Sequence, residues 1–273
     1  MSTGTSRRRT TTRRLLDMKE RGEKIVALTA YDALFGRLVD EAGVDVILVG
    51  DSLGQVVLGY DSTIPVTLEA MIHHAAAVRR GVEHALLVVD MPFLTFQVSP
   101  EETVRNCGRV LKETGAEAVK LEGGSERACE HVARVVDAGV PVMGHIGLTP
   151  QSVHALGGYR VQGRDEANAE RLRAEARRLA EAGAFSIVLE LLPAALAGEI
   201  TRASAVPTIG IGAGADCDGQ VLVLPDMLGL NDAFAPKFLR RFADLAGETR
   251  RGLSAYVGAV RNGEYPGPEH AHG

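Results

Sequence analysis

The ionisable residues of this chain gather at one end of its apolar runs. Val46–Gly50 leads into Asp51-Ser52, Leu86–Asp90 ends on Asp90, and Ala118–Leu121 carries Lys120 and runs into Glu122. Val142–His145 ends on His145, Ser186–Glu190 ends on Glu190, and Thr208–Ile211 runs into Gly210-Ile211-Gly212-Ala213-Gly214. Asp51, Asp90 and Glu122 brought into one mouth would repel one another unless a cation neutralised them. A hard divalent ion with oxygen ligands, Mg²⁺ first, answers that need and keeps positions open for a substrate. Lys120 and Glu122, two residues apart, point the same way on a strand. Glu190 closes the apolar Ile187-Val188-Leu189, where partial desolvation suits a carboxylate to general-base work. His145 is the one histidine at such an end. His73, His74, His131 and His154 fall in helix or loop positions without HxxxH spacing and read as surface or packing residues.

Each residue taken singly has a plainer reading. Asp51 suits a helix cap, Asp90 before Met91-Pro92 suits a turn, and Lys120 with Glu122 suits a buried ion pair. The glycines from Gly210 to Gly214 suit either a phosphate cradle before a helix or tight turns. They do not form a dinucleotide fingerprint, because the spacing fails. The functional reading rests on the asymmetry: charge collects at one set of run ends and helix-closing glycines at the other.

Those glycines define the elements. Glu41-Ala42-Gly43-Val44, Glu113-Thr114-Gly115-Ala116, Asp137-Ala138-Gly139-Val140 and Glu181-Ala182-Gly183-Ala184 each end a helical segment, with Arg80-Gly81-Val82 a looser case. Glycine accepts the left-handed backbone that closes a last turn. The apolar runs that follow lack alternation, as strands of a parallel sheet buried on both faces do. With Ile25–Thr29 and Val221–Leu224 the runs number eight. Helix starts stand between them: the box Ser99-Pro100-Glu101-Glu102, caps at Ser125 and Thr67, and an amphipathic Asp165–Ala182. Eight strand–helix repeats predict a single-domain (β/α)8 TIM barrel over residues 12–269, with an open doubly wound sheet as the alternative. In the barrel, chemistry belongs at the C-terminal strand ends. Residues 1–11, rich in Ser, Thr and Arg, read as a disordered basic tail before a helix Thr12–Glu20, and 270–273 as a short C-terminal tail.

Composition narrows the partners. A chain of 273 residues with 45% apolar content can bury a large core, and a formal net charge of −5 disfavours nucleic acid and anionic membranes. Cys107, Cys129 and Cys217 have no paired spacing, so they read as reduced thiols of a cytoplasmic protein rather than a disulfide frame or zinc site. No stretch approaches the roughly twenty apolar residues of a membrane helix.

Several longer segments occur together and in order: Leu28-Thr29-Ala30-Tyr31-Asp32, Val49-Gly50-Asp51-Ser52-Leu53-Gly54, Asp61-Ser62-Thr63-Ile64-Pro65-Val66-Thr67, Val119-Lys120-Leu121-Glu122-Gly123-Gly124, and Gly144-His145-Ile146-Gly147-Leu148-Thr149-Pro150-Gln151. Gly157-Gly158-Tyr159, Val161-Gln162-Gly163-Arg164 and the run from Gly210 to Gly214 follow. From about Thr12 to Glu269 the chain resembles the ketopantoate (3-methyl-2-oxobutanoate) hydroxymethyltransferase family. The resemblance implies transfer of a one-carbon unit from 5,10-methylenetetrahydrofolate to 3-methyl-2-oxobutanoate on a (β/α)8 barrel. It implies Mg²⁺ held by Asp51 and Asp90, with Glu122 completing the metal environment directly or through water. Ser52 and Lys120 would contact the oxo-acid, Glu190 would take the C3 proton, and His145 would line the site. It also implies a homo-oligomer, usually a decamer. The family's Cys-Val-Pro-like stretch after the base reads Leu191-Leu192-Pro193 here, which keeps the carboxylate.

Three other readings compete. A metal-dependent carbon–carbon lyase or phosphonomutase would use similar acidic strand ends, but the lyase nucleophile, a cysteine in a Lys-Cys-Gly context, is absent from the sequence. A phosphosugar isomerase would hold phosphate on the 210–214 loop. A non-enzymatic binding protein would have no need of Lys120, Glu122 and Glu190 all at strand ends.

Overall fold

The computed structural model describes residues 8–272. Eight parallel strands, β1 (Ile25–Thr29), β2 (Val46–Val49), β3 (Leu86–Asp90), β4 (Ala118–Glu122), β5 (Val142–Gly147), β6 (Ser186–Glu190), β7 (Thr208–Ile211) and β8 (Gly219–Leu222), close on themselves in sequence order. This is the predicted (β/α)8 barrel. The last strand lies two residues earlier than the expected Val221–Leu224, because Leu224 already opens a short helix Leu224–Met227. The open-sheet alternative is excluded by the pairing of β1 with β8.

The punctuation works as its chemistry requires. Gly43, Gly115, Gly139 and Gly183 take positive φ of 96°, 74°, 87° and 91° after their helices. Gly81 does not belong to that set: a Cβ there would collide with the carbonyl oxygen of Ala33, so close approach explains it. Ser99, Ser125 and Thr67 cap the helices Pro100–Thr114, Glu126–Asp137 and Leu68–Arg79 through their side-chain oxygens. Asp165 caps a helix Glu166–Glu181 by accepting from Asn168 N at 2.9 Å.

Residues that alternate along the strands build the interior in layers. Val88, Ala118, Met143 and Val188 belong to the central apolar cluster, which Leu15 and Met18 of the helix Thr12–Glu20 join together with strand-start residues Ile25, Val46 and Leu86. Two residues further along the same inward faces come Asp90, Lys120, His145 and Glu190. The barrel is therefore apolar at the strand starts and ionisable at the strand ends, with the N-terminal helix packed into the apolar end.

Part of the predicted disordered tail, residues 1–7, lies outside the described residues. Within them the chain is tied down before residue 11: Thr10 is buried and its N donates to His84 O at 2.7 Å, and Thr11 caps the first helix. The chain also divides into two compact units, residues up to Val223 and from Leu224 on. The first unit holds all eight strands. In the second, a helix Leu245–Arg261 buries only Ala246 of its residues and exposes Leu253, Tyr256, Val257 and Val260. No described helix is long and apolar enough to cross a membrane, and the three cysteines are free and buried.

Candidate active site

The inward alternation, combined with the register, assembles the ionisable side chains. Asp90 pairs across the sheet with Lys120, and Glu122 with His145. Lys120 Nζ lies 2.7 Å from Asp90 Oδ1, 3.9 Å from Glu122 Oε1 and 3.2 Å from His145 Nδ1. His145 lies between two carboxylates, with Nδ1 3.4 Å from Glu122 Oε1 and Nε2 3.1 Å from Glu190 Oε2. Asp51 stands just past β2, where its backbone N donates to Asp90 Oδ2 at 3.1 Å. Its carboxylate does not cap the following turn but accepts from Gln151 Nε2 at 2.8 Å. Ser52 Oγ shares a 2.8 Å hydrogen bond with Tyr31 OH. All the predicted site residues thus meet at the C-terminal end of the barrel.

Two glycines make that closeness possible. A Cβ on Gly50 would sit 2.7 Å from Ser52 Oγ and 3.4 Å from Asp90 Oδ2. Gly147, paired with Glu190, has φ +99° and would drive a Cβ into the carbonyl of Glu190. Any larger residue at Gly147 would push the carboxylate-bearing strand end away from His145.

Burial sets the electrostatics. Asp51, Asp90, Lys120, Glu122 and His145 are all nearly fully buried, while the Glu190 side chain keeps 17% of its exposure. Burial, then the charges of Asp90 and Glu122, holds the Asp51 carboxyl well above the usual carboxylate range. Burial raises Asp90 as well, against the opposing pull of Lys120. For Lys120 burial favours the neutral amine, but Asp90, Glu122 and Asp51 outweigh it and keep the ammonium. Glu122 is lowered: His145 and Lys120 overcome its desolvation. His145 resists burial and Lys120 through its contacts with Glu122 and Glu190, and is raised to about 9.

These features fit a divalent cation at Asp51 and Asp90. Burial raises the proton affinity of both carboxyl groups, and the Asp90 charge raises that of Asp51 further, the condition a cation relieves. Asp90 Oδ1, although close to Lys120, makes no aligned hydrogen bond, so this buried oxygen has directional capacity to spare. Among the described residues no group of three or more His, Cys, Asp or Glu forms a metal cage. Glu122 instead gives Oε2 to Gln151 N at 3.1 Å and turns Oε1 toward Lys120 and His145. Two carboxylates with water and substrate oxygens suit Mg²⁺, which dehydrates reluctantly.

Sequence reasoning missed two residues of this site. Gln151, 5% exposed, ties three strand ends together, and Tyr31 orients Ser52. The polar Gln directly after a strand-end motif was the available signal for the first. The glycine run after β7 shows packing demands: a Cβ on Gly210 would meet Cys217 Sγ at 2.9 Å, and one on Gly214 would meet Ala194. His131 is a packing residue as predicted, buried with Nδ1 against Phe96 O at 2.6 Å and Thr103 Oγ1 at 2.9 Å.

A cavity of about 540 Å³ includes Tyr159, Gln162 and Arg164 in its wall and none of the ionisable strand-end residues. Gln162 N donates to Leu191 O at 2.9 Å, which ties the cavity wall to the residue after Glu190.

Comparison with known proteins identifies the family. Residues 9–268 match the family model described as ketopantoate hydroxymethyltransferase. Over 271 residues the chain is 54% identical to the 3-methyl-2-oxobutanoate hydroxymethyltransferase of Syntrophus aciditrophicus (strain SB), covering 99% of each. It is 57% identical over 265 residues to that of Moorella thermoacetica (strain ATCC 39073 / JCM 9320), covering 97% of this chain and 98% of the relative. Among solved structures, 2,3-dimethylmalate lyase of the PEP mutase/isocitrate lyase superfamily superposes with a TM-score of 0.59 at 16% identity, covering 96% of this chain and 93% of that one. At that identity the likeness is one of fold.

Proposed function

The chain belongs to the ketopantoate hydroxymethyltransferase family, and from that premise we propose that it transfers a hydroxymethyl group from 5,10-methylenetetrahydrofolate to 3-methyl-2-oxobutanoate, giving 2-dehydropantoate in the cytoplasm. One water is consumed: the methylene carbon forms the new bond to C3, water supplies the hydroxyl, and tetrahydrofolate leaves.

The reaction needs a base, a cationic environment for an oxo-acid, and protection from bulk water. Glu190 is the base. Its Oε2 faces His145, so Oε1 is free to take the C3 proton. His145 carries a hydrogen on Nε2 whether the ring is an imidazolium or a neutral ring whose Nδ1 accepts from Lys120. Either form turns an N–H toward the Glu190 carboxylate at 3.1 Å, an electrostatic contact without an aligned hydrogen bond. Lys120 and Ser52 bind the oxo-acid, and the Lys120 ammonium favours negative charge developing on the keto oxygen as the proton leaves. Asp51 and Asp90 would hold Mg²⁺, with Glu122 in its surroundings, and the bound ion would supply Lewis-acid stabilisation of the same charge. The cavity walled by Tyr159, Gln162 and Arg164, tied through Gln162 N to Leu191 O, is the place we propose for the folate; its volume falls within the range of small-molecule sites. A homodecamer is the proposed assembly, supported by the apolar face exposed on the helix Leu245–Arg261.

The observation that carries this reading is the half-buried Glu190 carboxylate, 3.1 Å from His145 Nε2, at the edge of a buried Lys–carboxylate cluster. It is tested by following the C3 proton of 3-methyl-2-oxobutanoate by NMR in D₂O with Mg²⁺. Exchange is expected to need the metal and to fall by roughly 10²–10⁴-fold in Glu190→Gln, the scale of a positioned base. Undiminished exchange by a folded Glu190→Gln protein would remove Glu190 from the role. Absence of exchange in the wild type, with and without tetrahydrofolate, would remove the substrate.

A further inference from the structure

Gln151 belongs to no strand and carries no charge, yet its side chain makes three hydrogen bonds at the barrel mouth. It sits in the short 3₁₀ turn Pro150–Ser152 that follows β5. Nε2 donates to Asp51 Oδ2 at 2.8 Å and to Met91 O at 2.9 Å, which uses both amide hydrogens. Oε1 accepts from Gln97 Nε2 at 3.1 Å, and the backbone N donates to Glu122 Oε2 at 3.1 Å. The orientation of the amide is forced by its neighbours. Turned over, Oε1 would face a carboxylate oxygen and a carbonyl oxygen, and Nε2 would face the Gln97 amide nitrogen. One residue thus holds Asp51 after β2, the residue following Asp90 on β3, and Glu122 at the end of β4.

We infer that Gln151 is a positioning residue of the metal site: its amide holds Oδ2 of Asp51, fixes the orientation of that carboxylate, and with it the spacing between Asp51 and Asp90. The backbone reinforces the selection. Asp51 N holds Asp90 Oδ2, so one oxygen of each aspartate is engaged by an aligned protein hydrogen bond, and the remaining oxygen of Asp90 faces the Lys120 ammonium at 2.7 Å. A carboxylate free to rotate could offer both oxygens, or swing away from its partner. A buried amide that is itself held by Gln97 removes that freedom before the cation arrives. Groups that orient first-shell ligands in this way typically change metal affinity by roughly 10–100-fold when removed. The inference relies on the proposed function only for the cation.

The test uses Mn²⁺ as a spectroscopic stand-in for Mg²⁺, with the full-length protein and no substrate. Gln151→Met keeps the side-chain volume and the backbone bond to Glu122 but loses every side-chain hydrogen bond. The variant is expected to bind Mn²⁺ about 10–100-fold more weakly by EPR titration, and the bound spectrum should broaden as the ligand set becomes heterogeneous. A stability control, Val135→Ala, removes two buried methyl groups from the helix Glu126–Asp137, away from the site. It should lower the melting temperature yet leave Mn²⁺ affinity and spectrum as in the wild type. Should Gln151→Met fail to fold, Gln97→Leu withdraws the donor to Oε1, together with the long 3.4 Å acceptor contact to Phe96 N. It leaves the Gln151 bonds to Asp51 and Met91 in place, so a weakening of about threefold, below the full range, is expected. Wild-type affinity and line shape in Gln151→Met, or in Gln97→Leu if that variant must stand in, would overturn the inference alone. Absence of Mn²⁺ binding by the wild type would overturn the metal reading, and this inference with it.

Discussion

Replacing Lys120 by Met would expose how the site balances its charges. The ammonium is 5% exposed and lies 2.7 Å from Asp90 Oδ1 and 3.9 Å from Glu122 Oε1. With an effective dielectric of about 20 those two attractions come to about 6 and about 4 kcal/mol. Desolvation of the lysine and of both carboxylates, several kcal/mol for each ion, offsets most of that gain. The net cost of deleting one partner of such a buried cluster is therefore about 3–5 kcal/mol, because the remaining carboxylates stay buried without compensation. The loss should depend on pH. Asp90 already has a raised folded-state pKa, and without the opposing pull of Lys120 it must rise further. A carboxyl raised on folding destabilises the protein above that raised pKa, and the penalty is relieved as pH falls toward the ordinary carboxylate range. Urea unfolding of the metal-free proteins, at one fixed protein concentration, should show Lys120→Met less stable by about 3–5 kcal/mol at pH 8. The deficit should shrink toward pH 5, by about 1.4 kcal/mol for each unit that Asp90 has risen beyond its wild-type position. A loss below about 1 kcal/mol at pH 8, or one that does not change with pH, would resemble an exposed ion pair and would refute the account of a buried, mutually compensated cluster.

Three other perturbations test separate parts of the molecule. Asp90→Asn should weaken Mg²⁺ and oxo-acid binding together, each by about tenfold or more; calorimetry showing unchanged oxo-acid affinity would contradict the assignment of Asp90 to a cation that the substrate shares. Leu253→Glu with Tyr256→Glu places charge on the apolar face of the helix Leu245–Arg261, where the two side chains are 60% and 59% exposed, and light scattering should report a smaller particle than the wild type; an unchanged mass would free that face of any assembly role. The Cys107 thiol is pushed up to about 12 by burial, so at pH 8 it should react with a disulfide reagent only as fast as the protein opens; labelling of the native protein at the rate of a free thiol would show that the helix Pro100–Thr114 is not packed as described.

The barrel was legible because its two signals are local. A glycine that closes a helix and an apolar run that lacks alternation are each decided within a few residues, and their repetition specifies parallel strands buried on both faces. Legibility fell where glycine or close packing replaced that pattern. β8 begins at Gly219, a residue with little strand preference, placed where a Cβ would clash with Ile25. Apolar content alone pointed two residues downstream, into a segment that turns helical. Among the described residues beyond Val223 there is no further strand, and the exposed apolar residues of the helix Leu245–Arg261 imitate the amphipathic pattern of a barrel helix.

At the site, membership was legible and partnership was not. A charged residue ending an apolar run is placed by the barrel rule alone, whatever it touches, so Asp51, Asp90, Lys120, Glu122, His145 and Glu190 could each be named. Which of them pair depends on register. Lys120 and Glu122, on the same face of one strand, suggested an ion pair, but residues two apart along a strand are roughly 6.5–7 Å apart while a cross-strand neighbour is about 4.8 Å away. The register that sets Asp90 opposite Lys120 therefore gives the lysine to Asp90, and it sets Glu122 opposite His145 in the same way. Gln151 escaped a role for a related reason. A neutral amide offers no charge to count, and its value to the site comes from reaching three other strand ends at once. Only the closed barrel brings those ends together, so its importance could be read only after closure was known.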